Sequence, residues 1–252
     1  MKALKILSIT ALSLLSNLVI GQDTIYVYQK VGGILKIPTN NVDSIIFYDT
    51  TSIALDTSIT DADGNVYTSV TIGTQEWMAE NLRTSKYSDG TTIPNVTSVN
   101  EWTIDTTGAW CHINNDNQYD TIYGKLYNWY AVETGKLCPT GWHVPTDAEW
   151  TVLTDYLASD GHSEAEGTAL KSTSGWNSGG NGTDDYGWNG LPGDHRLQSG
   201  EHGGVGNAGY WWSSSQHDNY GAWYRYLVYD SENLFRQPWG ISWGFSVRCL
   251  RD

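Results

Sequence analysis

The sequence predicts an α+β domain with short helices, long loops and late β-hairpins. Runs of β-branched and aromatic residues occur near both ends of the chain, whereas helix-initiation patterns are confined to its middle. The 252 residues include 13 Trp and 16 Tyr, and aliphatic side chains are few. Because a buried Trp or Tyr hides roughly 150–250 Å², we expect aromatic rings to supply much of the core.

Residues 1–21, MKALKILSITALSLLSNLVIG, have the pattern of a secretory signal peptide, with two Lys ahead of an apolar run. Ser, Thr and Asn interrupt that run, which is too weak for a bilayer-spanning helix of about 20 apolar residues. No Cys follows it to carry a lipid anchor. We therefore expect cleavage after Gly21 and a soluble mature chain, without membrane insertion. No sorting domain follows the last strand pattern, which favours free secretion over covalent surface attachment. The expected location is extracellular or at the outer cell surface.

The chain is strongly acidic, with a formal net charge of −14 that becomes −16 when Lys2 and Lys5 leave with the signal peptide. The charge is spread along the sequence rather than gathered in a tail. Because such a surface repels a polyanion, nucleic acid is excluded as a partner.

The mature chain divides into three parts. Residues 22–49 form a short β-rich segment with three strand-like runs, separated by Gly32-Gly33 and by Pro38 to Asn41. Residues 50–60 are rich in Ser and Thr and read as a linker. Residues 61–252 form the main domain.

The main domain opens with an Asp-Gly turn and an alternating strand from Val66 to Ile72. Its first predicted helix begins at a capping box, Thr146 with Glu149, and places Trp150, Leu153 and Leu157 on one face.

Two further helices are predicted from weaker patterns. The spacing of Ser163 and Glu166 repeats the capping pattern, and YGKLYNWYAVE places Leu126 and Tyr130 one turn apart. After Lys171 no helical period persists, and aromatic strands follow from Gly209 to Arg251.

Eight strings occur in an order that is specific to one family. Together they resemble the Fibrobacter succinogenes major paralogous domain, a family of secreted bacterial proteins, over Asp61 to Asp252. The strings are DADGNVY, WMAENL, YGKLYNWYAV, CPTGWHVPTDAEW, LKSTSGWN, GTDDYGWNGLPG, GYWWSSS and GFSVRC. That family is similar in turn to the C-type-lectin-like fold of the formylglycine-generating enzymes, with CPxGWxxPT on an early helix and GFxxRC on a late strand.

Three Cys residues, Cys111, Cys138 and Cys249, allow three pairings, and a secreted protein favours one disulfide. The resemblance implies Cys138–Cys249, because the early helix lies against the final strand in that fold. Cys111 is then a buried small hydrophobic residue.

An enzymatic function has little support in the residues. The formylglycine-generating enzymes bind copper through cysteines near their late strands, and GYWWSSSQHDNYGAWYRYLVYDSENLF contains none. The six His form no zinc motif, and the Ser cluster is in no nucleophile elbow. We therefore expect no catalysis and no resident cofactor, with an enzyme from that branch as an alternative.

Calcium is the one metal with a candidate site. Asn114, Asp116 and Asp120 stand at alternate positions of NNDNQYD, together with Gln118, as oxygen ligands do in calcium loops. The Gly and Glu that an EF-hand needs are replaced by Tyr119 and Lys125. A polar turn is the simpler interpretation.

Adjacent aromatic residues in the late strands cannot share a face, because successive side chains of a strand alternate. Trp211 and Trp212 therefore point to opposite sides of their strand. Most tryptophans of the family strings are predicted to be packing residues: Trp77, Trp129, Trp142, Trp150, Trp211 and Trp243.

The predicted ligand site lies in a loop or hairpin tip, centred on Trp239 between Pro238 and Gly240. An exposed indole stacks on the apolar face of a sugar while polar neighbours bind its hydroxyls. The predicted neighbours are Tyr220, Asp218, Asn219 and Asn233. We expect a secreted binding module for a polysaccharide or another cell-surface component, with a structural or protein-interaction module of the cell envelope as the alternative.

Overall fold

The computed structural model describes residues 18–20, 24–29, 33–38 and 59–252. The chain divides into two compact units, Met1–Thr57 and Ser58–Asp252. The second unit begins inside the segment predicted as a linker, and Ile59–Thr60 of that segment form a strand.

The described residues of the first unit form three antiparallel strands, β1 (Leu18–Ile20), β2 (Thr24–Gln29) and β3 (Gly33–Pro38). Two of the three strands predicted in residues 22–49 are thus confirmed. The third predicted strand, the rest of the linker and most of the predicted signal peptide lie outside the described residues. Strand β1 falls within the predicted signal peptide.

The second unit is built from short elements. In chain order they are β4 (Ile59–Thr60), β5 (Val66–Tyr67), β6 (Ser69–Ile72), β7 (Gln75–Met78), α1 (Val99–Ile104), β8 (Trp110–Cys111), α2 (Asp120–Tyr123), β9 (Leu126–Tyr127), α3 (Trp129–Val132), β10 (Trp142–His143), α4 (Asp147–Leu157), α5 (Glu166–Leu170), β11 (Ala208–Gln216), β12 (Gly221–Val228), β13 (Phe235–Gly240) and β14 (Leu250–Arg251).

Two sheets organise this unit. One has the order β10-β14-β7-β6, and the other, here called the hairpin sheet, has the order β11-β12-β13. Strands β4 and β5 form a separate pair, as do β8 and β9. Strands predominate and helices are short, so the predicted α+β class is confirmed.

Helix α4 begins as predicted. The Thr146 Oγ1 accepts the Glu149 N–H at 3.2 Å, and the Glu149 Oε2 accepts the Thr146 N–H at 2.7 Å. The side chains of Trp150, Leu153 and Leu157 are buried. The capping box and the apolar face are both confirmed.

The second predicted capping box is wrong. Helix α5 begins after Ala165, which has no side-chain cap, and Glu166 Oε1 accepts the Glu164 N–H rather than bonding to Ser163. Glu164 has a φ of 64°. This left-handed turn separates Ser163 from the helix that it was predicted to cap.

The helix predicted in YGKLYNWYAVE is short. Leu126–Tyr127 form strand β9, and the helix is confined to Trp129–Val132. The Asn128 Oδ1 accepts the N–H groups of Ala109 and Ala131, which fixes Asn128 outside the helix. The predicted strand from Val66 to Ile72 is likewise interrupted at Thr68.

Both faces of the hairpin sheet are covered at Trp211 and Trp212. Trp211 and Trp212 are each fully buried, Trp211 with Trp188 and Leu227 and Trp212 with Phe245. Opposite orientation is confirmed, and neither ring faces water. A Cβ on Gly209 would approach the Trp211 ring to 2.5 Å. Glycine at this position therefore leaves room for the indole.

Fully buried arginines lie against tryptophan rings on the side of Trp211. The Arg248 guanidinium lies 4.0 Å above the Trp188 ring, and its Nη2 donates to Asn81 Oδ1 at 2.6 Å. The same Asn81 oxygen accepts the Trp211 Nε1–H at 2.8 Å. Because these contacts satisfy the buried charge, Arg248 belongs to the core.

One disulfide closes the second unit. Cys138 and Cys249 are joined across 111 residues, and Cys111 is free and buried. Both predictions are confirmed, although neither cysteine lies in the regular element that the resemblance implied. Cys138 precedes β10 and Cys249 precedes β14. Within the described ranges, the structure contains no helix with the length and apolar character of a membrane span.

Candidate ligand-binding face

One face of the hairpin sheet carries a continuous set of aromatic side chains, here called the aromatic face. Strand pairing places Tyr210, Tyr226 and Phe235 in one row across β11, β12 and β13. Tyr224 and Trp239 project from the same side of the sheet, and Trp243 joins them from the turn after β13. The members of the aromatic face are Tyr210, Tyr224, Tyr226, Phe235, Trp239 and Trp243.

The rings of the row stack on one another. Ring centroids are 5.6 Å apart for Tyr210 and Tyr226 and 4.8 Å apart for Tyr226 and Phe235, with interplanar angles of 17° and 19°. Phe245 extends the stack beyond Tyr210 at 5.1 Å. Rings inside such a stack cover each other, so a ligand reaches their edges and hydroxyls rather than their faces.

Trp239 lies where a ring face is accessible. Its side chain is 44% exposed, and its ring meets Trp243 edge-on at 5.0 Å. Strand β13 is at the edge of the hairpin sheet, and no strand of the described residues pairs with its outer side. The predicted exposure of Trp239 is confirmed, and Trp243, which is only partly buried, extends the indole surface.

The phenol hydroxyls of the aromatic face are uncharged at neutral pH. Burial raises the pKa of Tyr210 to about 12, with further contributions from Asp194 and Tyr226. Burial also raises the pKa of Tyr224 and of Tyr226. No group in the described part of the chain forms a hydrogen bond with these three hydroxyls. Tyr210 and Tyr226 are partly exposed, so their hydroxyls are available to donate and accept hydrogen bonds to a ligand, whereas Tyr224 is buried.

An acidic group and an imidazole border the aromatic face beside Tyr210. The His195 ring stacks on Trp243 at 5.2 Å and meets Tyr210 edge-on at 4.8 Å. His195 Nδ1 lies against the Asp194 Oδ1, and Asp194 is only 4% exposed. This contact orients the imidazole beside the rings.

The structure brings most of the predicted site residues together. Tyr220, which is 82% exposed, directly precedes β12, and its carbonyl oxygen accepts the Ile241 N–H at 3.1 Å. Asp218 Oδ1 accepts the Tyr220 N–H at 2.8 Å, and Asn219 between them is exposed. Gly221 pairs with Gly240. These residues therefore lie at the same end of the hairpin sheet as Trp239.

Asn233 does not join this group. It lies between β12 and β13, at the end of their six pairs that is opposite to Trp239. The two residues are six positions apart along the chain, which is at most about 20 Å at 3.3 Å per residue. The Asn233 backbone packs against Gly167 of α5. Spacing alone could not reveal this, because the hairpin register was unknown.

Sequence reasoning assigned most aromatic residues of the late strands to packing. The structure confirms this for Tyr224, which is buried in the core, while Tyr210, Tyr226 and Trp243 pack against the core and stay partly exposed. The sequence signal for a shared face was the even spacing of aromatic residues within each strand, at positions 224 and 226 and at positions 235 and 239. The loop after Asp194 contains the fully buried Arg196.

The predicted calcium ligands are engaged in other contacts. The Asp120 Oδ1 accepts a hydrogen bond from Lys125 Nζ at 2.6 Å. The Asp116 Oδ1 accepts the backbone N–H of Gln118 at 3.0 Å. The Asn114 N–H donates to His202 Nδ1 at 3.2 Å. Calcium would have to displace Lys125 from Asp120, and its binding stays a prediction. Across the described segments, no group of three or more His, Cys, Asp or Glu side chains is placed to hold a metal ion.

A known protein family matches this chain, in agreement with the resemblance of the eight strings. The Fibrobacter succinogenes major domain family matches residues 70–251, which is more than half of the chain. The chain belongs to this family. The match spans β6 to β14, so the Fibrobacter succinogenes major domain contains the hairpin sheet and the aromatic face. Neither the search of curated proteins nor the search of solved structures found a match.

Proposed function

We propose that this Fibrobacter succinogenes major domain is a non-catalytic binding module of a secreted protein and that it binds glycan through the aromatic face. The exposed Trp239 ring beside Trp243 is the observation that carries the proposal. A pyranose ring stacks its apolar face on an indole, and its hydroxyls need hydrogen-bonding partners nearby. The hydroxyls of Tyr210 and Tyr226 and the carboxylate of Asp218 supply such partners.

The proposal includes a C-type-lectin-like architecture for residues 61–252. The disulfide between the segment before α4 and the segment before β14 supports it, as does the order of early helices and late hairpins. In lectin-like domains, variable loops at the end of the scaffold carry the ligand. Trp239 and Tyr220 lie at such an end of the hairpin sheet.

Secretion is supported by the signal-peptide pattern and by the disulfide, which an oxidising compartment allows. A non-catalytic role is supported by the absence of cysteine from the late hairpins, where copper ligands would be needed. The remaining thiol is unsuited to catalysis. Burial raises the pKa of Cys111 to about 11, so little thiolate forms at neutral pH.

Removal of the Trp239 ring tests the proposal. We expect Trp239→Ala to weaken binding to immobilised polysaccharides at least tenfold, because the stacking surface is lost, as measured by retention on a panel of insoluble and soluble glycans. Ile104→Ala is the matched control, because Ile104 is a 78% exposed apolar residue on α1. Equal retention of wild type and Trp239→Ala, with both folded by circular dichroism, would refute the role of this face.

A structural or protein-interaction module of the cell envelope is the second candidate function. Val99 and Ile104 favour it, because helix α1 exposes both apolar side chains, Val99 at 48%. Cross-linking on intact cells separates the two functions. Protein adducts that depend on Ile104 support the second candidate, and retention on polysaccharide that depends on Trp239 supports the first.

A further inference from the structure

The basic side chains of the hairpin sheet point away from the aromatic face. Arg225 and Arg236 pair with each other in the register and project from the opposite side. There, Arg225 Nη1 and Arg236 Nη2 each bind the Asp147 carboxylate at 2.8 Å. Arg236 also lies 3.5 Å from the centre of the Trp223 ring. Both guanidinium groups are therefore occupied on the side that α4 covers.

The carboxylates that border the aromatic face are each in contact with a histidine, Asp194 with His195 and Asp218 with His217. Asp194 lies beside Tyr210 at one end, and Asp218, with a side chain 56% exposed, lies beside Tyr220 at the other. Gln237 is exposed in the row of Tyr224. Among the residues that the structure describes, His195 is the one basic side chain in ring contact with the face, and it lies against Asp194. The nearby Arg196 is fully buried and donates to backbone carbonyls, including that of Thr97 at 3.0 Å.

We propose that the aromatic face selects uncharged glycans and excludes acidic ones, such as uronate or sulfated polymers. This inference rests on the proposed function and names the ligand class of the same site. A carboxylate or sulfate group is bound best by charge-assisted hydrogen bonds from Arg or Lys, and the described residues of the face and its border offer phenol hydroxyls, an amide and carboxylates but no unpaired Arg or Lys. The net charge of −14 adds a general repulsion of polyanions.

The first experiment compares neutral and acidic polymers on the full chain. Affinity electrophoresis and calorimetry at low ionic strength use soluble β-glucan and galactomannan as neutral probes and polygalacturonate and alginate as acidic probes. We expect affinity for at least one neutral polymer to exceed that for both acidic polymers by tenfold or more. Low salt is used because the electrostatic repulsion between the acidic chain and the acidic polymers is largest there.

A charge variant tests the physical cause. Gln237→Lys places a cation among the rings, and Thr74→Lys places one on the exposed turn between β6 and β7, in the other sheet. We expect Gln237→Lys to gain at least fivefold in affinity for polygalacturonate at low salt and to lose that gain when salt is added. Thr74→Lys carries the same net charge and should gain less than twofold.

The possible results separate the two proposals. Acidic polymers that bind as tightly as neutral ones, through a site that Trp239→Ala removes, would overturn the charge selectivity and leave the proposed function standing. Failure of every polysaccharide to bind would overturn the proposed function and the selectivity with it. An equal response of Gln237→Lys and Thr74→Lys would overturn the selectivity as a property of the aromatic face.

Discussion

At the scale of single residues, Trp211 and Trp212 occupy two different cores although they are neighbours in the chain. The Trp212 Nε1–H donates to the Tyr127 carbonyl at 2.8 Å, and the Trp211 Nε1–H donates to Asn81. Each indole thus gains both a hydrophobic contact and a hydrogen-bond acceptor from a distant segment. This explains how a strand with few aliphatic side chains is stabilised on both faces.

His143 provides a pH-dependent contact between the segment before α4 and the last residues. Its Nδ1 lies 2.7 Å from Asp252 Oδ1, and its Nε2 lies 3.0 Å from Glu149 Oε1. Burial alone lowers the pKa of His143, but hydrogen bonds to Asp252 and Glu149 outweigh this effect and leave the pKa raised.

A raised pKa in the folded state means that the stabilisation is complete below about pH 6.5, the ordinary pKa of His. It is lost as the pH rises through the folded-state pKa. We expect the wild type to lose roughly 0.2–1 kcal/mol more stability than His143→Gln over this rise, the range of exposed ion pairs. Urea denaturation at pH values below 6.5 and above the folded-state pKa of His143 measures this difference in stability. Parallel pH profiles for the two proteins would contradict the prediction.

At the scale of elements, two similar sequence patterns behave differently. Thr146 and Glu149 form a capping box, whereas Ser163 and Glu166 do not, because the backbone turns at Glu164. A third pattern of this kind, Ser98 with Glu101, begins α1, where Ser98 Oγ accepts the Glu101 N–H at 3.3 Å. Sequence reasoning did not identify that helix.

Thr146→Ala is expected to lower the free energy of unfolding by about 1 kcal/mol, because it removes the N-cap of α4. Ser163→Ala is the matched control, since its hydroxyl caps no helix, and it should change stability by less than about 0.5 kcal/mol. Chemical denaturation of both variants measures the difference. Equal losses would show that the cap does not stabilise α4 as argued.

The predictable elements are those whose signal is local. The α4 cap, the apolar face of Trp150, Leu153 and Leu157, and the alternation in β11 follow from neighbouring residues. The start of α3 depends on Asn128, which caps the helix and also accepts the Ala109 N–H from 19 positions away. Likewise, the separation of Asn233 from Trp239 depends on strand register. Such long-range pairings carry no local pattern, so sequence could not supply them.

At the scale of the whole molecule, one covalent link and several buried arginines hold a body of short elements together. The disulfide joins the segment before α4 to the segment before β14. Arg225 joins β12 to α4 through Asp147. The aromatic face is positioned by these contacts, although none of the linking residues belongs to it.

Loss of the disulfide is expected to lower the free energy of unfolding by about 4–5 kcal/mol, the chain-entropy value for a loop of this length. Cys138→Ala combined with Cys249→Ala tests this by urea denaturation. Thiol labelling is the companion measurement. One thiol, that of Cys111, should react in the wild type, and only after unfolding, because it is buried. Labelling of the folded protein would contradict its burial.

Indole resonances of the ¹⁵N-labelled protein test the central claim, glycan binding at the aromatic face, most directly. On titration with oligosaccharides of a bound neutral polymer, we expect the Nε1–H signals of Trp239 and Trp243 to shift. Those of the buried Trp77, Trp150, Trp188 and Trp211 should stay in place. Saturable shifts confined to other tryptophans, with Trp239 unchanged, would contradict the account.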